Sequence, residues 1–150
     1  LVAWPNKETA YTKEINNYIH KHNLKKHVII RPPIPHHQMP VYFKAASIVV
    51  IPSQEYFSIA MIESMLLERP LIASKEGGSG DAIIHKQSGL LVDHNNPKEI
   101  GQAIKEIINM TSKERNKLGK KAKQRILNNY TLEAVAKRIF SLYQKTLNIK

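Results

Sequence analysis

Cysteine is absent from the 150 residues, so disulfides, thiolate metal centres and cysteine nucleophiles are excluded together. No apolar run approaches the ~18 residues that would span a bilayer. The N-terminus is neither basic nor followed by a long apolar core, so the pattern of a secretory signal is missing too. Glycine is scarce, with six residues in all, yet four of them crowd between Gly77 and Gly89. Acidic residues are few, 12 against 23 Lys and Arg, which leaves a net charge of +11. What remains is 42% hydrophobic, enough for one domain with its own core over residues 1–150. A cytoplasmic setting is expected, for a chain that starts at Leu1 and reads as a fragment.

The positive excess implies attraction to anions in general. Much of it lies in Lys113, Arg115, Lys117, Lys120, Lys121, Lys123 and Arg125. The first reading of such a run is a solvated helix face. The sharper reading is contact with an anionic membrane surface, where each basic residue can add about 1 kcal/mol. Nucleic acid is not expected, because no aromatic interleaving or recognised motif accompanies the charge.

Hydrophobic patterning alternates short strands with helices. Leu1-Val2-Ala3-Trp4 and Val28-Ile29-Ile30 read as strands, the second stopped by Pro32-Pro33. Residues 9–22 form an amphipathic helix with Tyr11, Ile15, Tyr18 and Ile19 on one side. A short helix runs over residues 39–46. Ile48-Val49-Val50-Ile51, Pro70-Leu71-Ile72-Ala73 and Gly89-Leu90-Leu91-Val92 have the continuous apolar character of buried parallel strands. Asn96-Pro97-Lys98-Glu99 is an N-cap, a first-turn proline and a capping-box acid in order. Thr111 with Glu114 repeats the signal, and Thr131 opens a final helix whose buried face should be Val135, Ile139, Leu142 and Tyr143. The pattern predicts an α/β domain, a Rossmann-like doubly wound parallel sheet followed by C-terminal helices.

Between the third and fourth strands lies the stretch with the most chemistry in it, Pro52-Ser53-Gln54-Glu55-Tyr56-Phe57-Ser58-Ile59-Ala60-Met61-Ile62-Glu63-Ser64-Met65. A helix from about Ser58 is apolar nearly all round and so should be buried, with Ile59, Ile62, Met65 and Leu66 on one face. Glu63 sits inside it and needs a partner, because an unpaired buried carboxylate is costly. Helical side chains lean toward the N-terminus, so Glu63 points back toward the loop carrying Glu55 and the free amides of Phe57, Ser58 and Ile59. Those amides and the helix dipole form an anion site. A phosphate there, with hydroxyls near two carboxylates, describes a nucleotide sugar. The glycines of Gly77-Gly78-Ser79-Gly80 follow the next strand, so both loops would line one carboxyl edge, where open α/β sheets bind ligands. His36-His37, His20, His22, His27, His85 and His94 read as surface or packing residues, and no metal site is expected.

Glu55 and Glu63, with Phe57 and Ser58 between them, resemble the E-x7-E motif of family 4 retaining glycosyltransferases, which have the GT-B fold. Met39-Pro40, residues 42–46, Pro52-Ser53, Glu63-Ser64-Met65, Pro70-Leu71-Ile72-Ala73-Ser74, Gly77-Gly78 and Ser88-Gly89-Leu90-Leu91-Val92 are similar to that family's pattern in the same order. The resemblance covers roughly residues 28–145. It implies that the chain is the C-terminal, donor-binding half of GT-B. Glu55 would face the donor sugar as the catalytic residue, Phe57, Ser58 and Ile59 would hold the diphosphate, and Glu63 would bind the ribose, with Ser53, Gly77 and Gly78 completing the donor site. It implies transfer with retention from a nucleotide sugar to a glycan or lipid-linked acceptor, without metal or other cofactor. Pro32-Pro33 departs from the family's usual glycine, and Asp81 stands where a glutamate is usual. An acceptor-binding N-terminal domain and an upstream basic segment would precede Leu1, so the chain alone is expected to bind donor and transfer nothing. A non-catalytic nucleotide-sugar-binding module, a GT-B epimerase and a charge-driven anion binder are the alternatives.

Overall fold

The computed structural model describes residues 2–3 (backbone only), 9–54 and 58–147. The chain divides into two compact units, Leu1–Met39 and Pro40–Lys150.

In the first unit, β1 (Val2–Ala3) pairs in parallel with β2 (Ile30–Arg31), Val2 opposite Ile30. Between them α1 (Ala10–Lys21) starts at a reciprocal cap: the Thr12 amide donates to the Thr9 hydroxyl at 3.2 Å and the Thr9 amide to the Thr12 hydroxyl at 2.7 Å. Its buried residues are Thr12 and Ile19, while Tyr11 and Tyr18 are mostly exposed. The expected aromatic stripe is thus corrected. Two strands of two residues offer little apolar surface, and only a narrow line of the helix is covered. The second strand starts later than the Val28-Ile29-Ile30 pattern suggests, because the Val28 amide is held in a turn by Leu24 O at 2.9 Å. A single 3₁₀ turn, His36–Gln38, has both histidines exposed.

The second unit carries α2 (Met39–Ala45, its first residue shared with the boundary), β3 (Val49–Ile51), α3 (Ile59–Leu66), β4 (Leu71–Ser74), α4 (Ser79–Ala82), β5 (Leu90–Val92), α5 (Pro97–Asn109), α6 (Ser112–Asn129) and α7 (Leu132–Leu147). The strands form one parallel sheet in the order β3-β4-β5, with Ile51 opposite Ala73 and Ser74 opposite Val92. All four residues of the central strand are buried. Since strand side chains alternate, Ile72 and Ser74 face one way and Leu71 and Ala73 the other, so both faces are covered. Ile72, Leu90 and Val92 pack with Ala103 and Ile107 of α5, and α3 packs on β4 and α6. This is the doubly wound arrangement expected.

Two expectations about helix faces are corrected. The α3 core side is Met61, Ser64 and Met65, not Ile59, which is 69% exposed at the first turn. A helix end at the carboxyl edge of a sheet stands proud of it, so its first turn has no layer above it. Helix α7 has no buried residue; Ile139, Leu142 and Tyr143 are exposed and Val135 is half-buried. It packs only on α6 among the described elements with substantial contact, so its apolar pattern has too little surface to cover it.

Candidate functional site

Parallel pairing brings the carboxyl ends of three strands together. The chain leaves β3 at Pro52, β4 at Lys75 and β5 at Asp93, all on the same edge. The first exit runs through Ser53, which is half-buried, to Ser58, which is buried and begins α3. Ser58 has extended backbone angles, φ −87° and ψ 123°, and its hydroxyl makes no capping bond. The amides of the first helical turn therefore keep the unsatisfied donors of any helix start. Inside the helix, Ser64 donates to Met61 O at 2.8 Å. Glu63 is half-buried on α3 and is not without a partner. Glu55 and Phe57 lie outside the described residues.

The second exit is the glycine loop. The Lys75 amide donates to Val92 O at 2.8 Å and the Glu76 amide to the Ser74 hydroxyl at 3.1 Å, so the loop continues the sheet by one rung before turning. Gly77 makes the turn at φ 75°, where a Cβ is disfavoured. Gly78 caps α4 without any side-chain bond. The far end of α4 is pinned from α6: Arg125 donates through Nε to Ala82 O and through a terminal nitrogen to Asp81 O, both at 2.6 Å, and the Tyr130 hydroxyl donates to Asp81 O at 2.6 Å. Asp81 is thus placed by its carbonyl, with the residue exposed. Arg125 belongs to the basic run, and nothing local announces its role, since its partners are 43 and 44 residues upstream.

The third exit adds Asp93, for which the sequence carried no expectation, and His94, expected only as a surface or packing residue and here paired with Glu76. Asp93 follows β5, and its carboxyl is held below the usual range by the Asn95 amide, which donates to it at 2.9 Å, and by the Lys75 ammonium at 3.3 Å. His94 Nδ1 lies 3.1 Å from Glu76 Oε2. The position of Asp93-His94 immediately after an apolar strand is the signal that could have placed them on this edge.

The basic helix is partly occupied elsewhere. Arg115 donates to Met110 O at 2.9 Å and Ile108 O at 3.1 Å, closing the end of α5. Lys123 pairs with Glu68 at 3.0 Å and holds that carboxyl below its ordinary value. Lys113, Lys117, Lys120 and Lys121 remain exposed. No helix among the described residues is long and apolar enough to cross a membrane.

Against this geometry, residues 8–125 match the family model of glycosyl transferases group 1. The chain belongs to that family. A glycosyltransferase of Methanocaldococcus jannaschii is 33% identical over 98 residues, covering 65% of this chain and 28% of its own. The solved sucrose-phosphate synthase of Thermosynechococcus elongatus superposes with a TM-score of 0.79 at 28% identity, over 99% of this chain and 38% of that one. Anabaena HepE, solved in complex with UDP-glucose, has the same fold, with a TM-score of 0.79 at 19% identity over 95% of this chain and 40% of that one. As a group 1 member the chain has the fold of the C-terminal domain of GT-B glycosyltransferases. It spans 17% to 37% of the length of eight of the curated relatives that it matches.

Proposed function

We propose that this domain binds the nucleotide-sugar donor of a glycosyl transfer reaction at the carboxyl edge of β3 and β4, and that the protein it serves transfers the sugar with retention to a glycan or lipid-linked acceptor. The observation that carries the reading is the start of α3: a helix N-terminus with no side-chain cap, on a strand exit, with Glu63 one turn in and a glycine turn on the neighbouring exit. The amides of Ser58 and Ile59, with Phe57 before them, would receive the diphosphate, because backbone donors and the helix dipole stabilise the charge that grows on a departing diphosphate. Glu63 would accept from the ribose hydroxyls and Glu55 would face the sugar. Ser53, Gly77 and Gly78 would border it, the glycines leaving room for close backbone approach. These roles require no metal at the diphosphate. That HepE was solved with UDP-glucose and that the family model covers most of the chain both support a sugar nucleotide as ligand.

Calorimetric titration of the chain with UDP, GDP and ADP, each with and without its hexose, tests the reading. One nucleotide should bind in preference to the others, and its sugar conjugate more tightly still. No binding by any of them sinks the proposal. The exposed lysines 113, 117, 120 and 121 of α6 support a second contact, with an anionic membrane that would hold lipid-linked acceptors. Co-sedimentation with phosphatidylserine vesicles should then occur at low salt and vanish with Lys117→Glu/Lys121→Glu; equal sedimentation of both proteins contradicts it.

A further inference from the structure

We infer that Glu76, Asp93 and His94 form a binding site for a divalent transition-metal ion of the zinc class, separate from the residues assigned to the donor. One ligand atom from each residue lies within 4.8 Å of the other two. The three come from two different strand exits, Glu76 after β4 and Asp93 and His94 after β5, so it is the parallel pairing of those strands that assembles them. The cluster is more than a group of acids, because one member is an imidazole, whose buried Nδ1 meets the Glu76 carboxylate without hydrogen-bond geometry. A buried nitrogen so poorly satisfied calls for an explanation. That same nitrogen is 3.1 Å from Glu76 Oε2, close to the spacing of about 3.3 Å between two ligands around a tetrahedral ion with bonds near 2.0–2.1 Å. Nitrogen with two carboxylates suits zinc and its neighbours in the first transition row; magnesium and calcium prefer oxygen alone.

The present occupant of the third ligand is Lys75, whose ammonium lies 3.3 Å from Asp93 Oδ2. Its side chain is half-exposed, so an arriving ion can displace it to solvent on its flexible stem while the Asp93 carboxylate turns toward Glu76 and His94. Metal and lysine therefore compete for one carboxylate. The ion, once bound, ties the glycine loop to the end of β5 and fixes the segment that Gly77 turns.

The test is calorimetric titration of the tag-free 150-residue chain with zinc chloride, beside His94→Ala, Glu76→Gln and Lys75→Gln. The wild type should show a saturable site that magnesium and calcium do not fill. Affinity should fall about tenfold or more in His94→Ala and in Glu76→Gln, as it does for weaker perturbations of metal sites, and should rise in Lys75→Gln. Glu76→Gln keeps its shape and serves if His94→Ala does not fold. Absence of zinc binding overturns the proposal, as does zinc binding that is unchanged in both ligand variants and so belongs to other histidines. Magnesium binding as tight as zinc overturns the choice of ion, and unchanged affinity in Lys75→Gln overturns the competition. Nucleotide titrations of the same variants are read separately, so loss of the donor proposal leaves this one standing.

Discussion

At position 119 only a hydrogen fits. A Cβ there would collide with the Glu68 carbonyl oxygen and stand 2.7 Å from its carbon, and both are backbone atoms that cannot swing away. Glu68 itself turns out of α3 at φ 59°, so the close approach of α6 fixes where α3 ends. Gly101 is the contrasting case, with nothing within 4 Å of a Cβ in the middle of α5. Gly119→Ala should therefore destabilise by about 1–3 kcal/mol through overpacking. Gly101→Ala should stabilise by about 0.5–1 kcal/mol, the helix penalty of glycine. Urea midpoints of the two variants decide it; equal shifts would contradict the packing described. Sequence could not distinguish these glycines, since each sits in an amphipathic helix and the difference lies in a carbonyl 51 positions upstream of one of them. The placement of Glu63 inside a helix and of the glycine loop after a strand was legible because each follows from the pattern of its own stretch of sequence. His94 and Arg125 were not, because their partners arrive from other strands and helices.

Among the elements, helix starts were the most legible. Asn96 accepts from the Glu99 amide at 3.2 Å, and Thr111 and Glu114 form the full reciprocal box, the Glu114 carboxylate accepting from the Thr111 amide and hydroxyl at 2.7 Å. These bonds hold the Glu114 carboxyl below its ordinary range, the hydroxyl contributing most. Glu68 and Asp93 are shifted the same way, by Lys123 and by the Asn95 amide respectively. A carboxyl with a depressed folded pKa adds stability that is present above its unfolded pKa, near 4, and is lost as pH falls through the folded value. Thermal stability should be flat from pH 7 to about 5 and decline below about 4.5. Thr111→Ala should cost about 1 kcal/mol at neutral pH and leave a shallower acid decline; an unchanged acid slope contradicts the assignment. Helix faces were less legible than helix starts. An amphipathic pattern tells which side could be buried, while the amount of opposing surface decides whether it is. Leu142 on α7 is 62% exposed, so Leu142→Ser should change stability by no more than about 0.5 kcal/mol, whereas a loss of several times that in urea unfolding would restore the buried face that the sequence suggests.

In the molecule as a whole, one sheet edge gathers the candidate site. Three apolar runs predicted three parallel strands, and their pairing collects the exits of β3, β4 and β5, the glycine-rich loop among them. The family match and the superposition on sucrose-phosphate synthase agree with that architecture. The central claim is that Glu63, on the α3 that starts there, belongs to a nucleotide-sugar site. Its most direct test is titration with UDP-glucose of the wild type and of Glu63→Ala, with melting temperatures measured alongside. The account predicts saturable binding that weakens about tenfold or more in the variant, the loss expected for a hydrogen bond to a charged group, worth about 1.5–3 kcal/mol, with the variant still folded at the temperature of the titration. Equal binding by both proteins would contradict it.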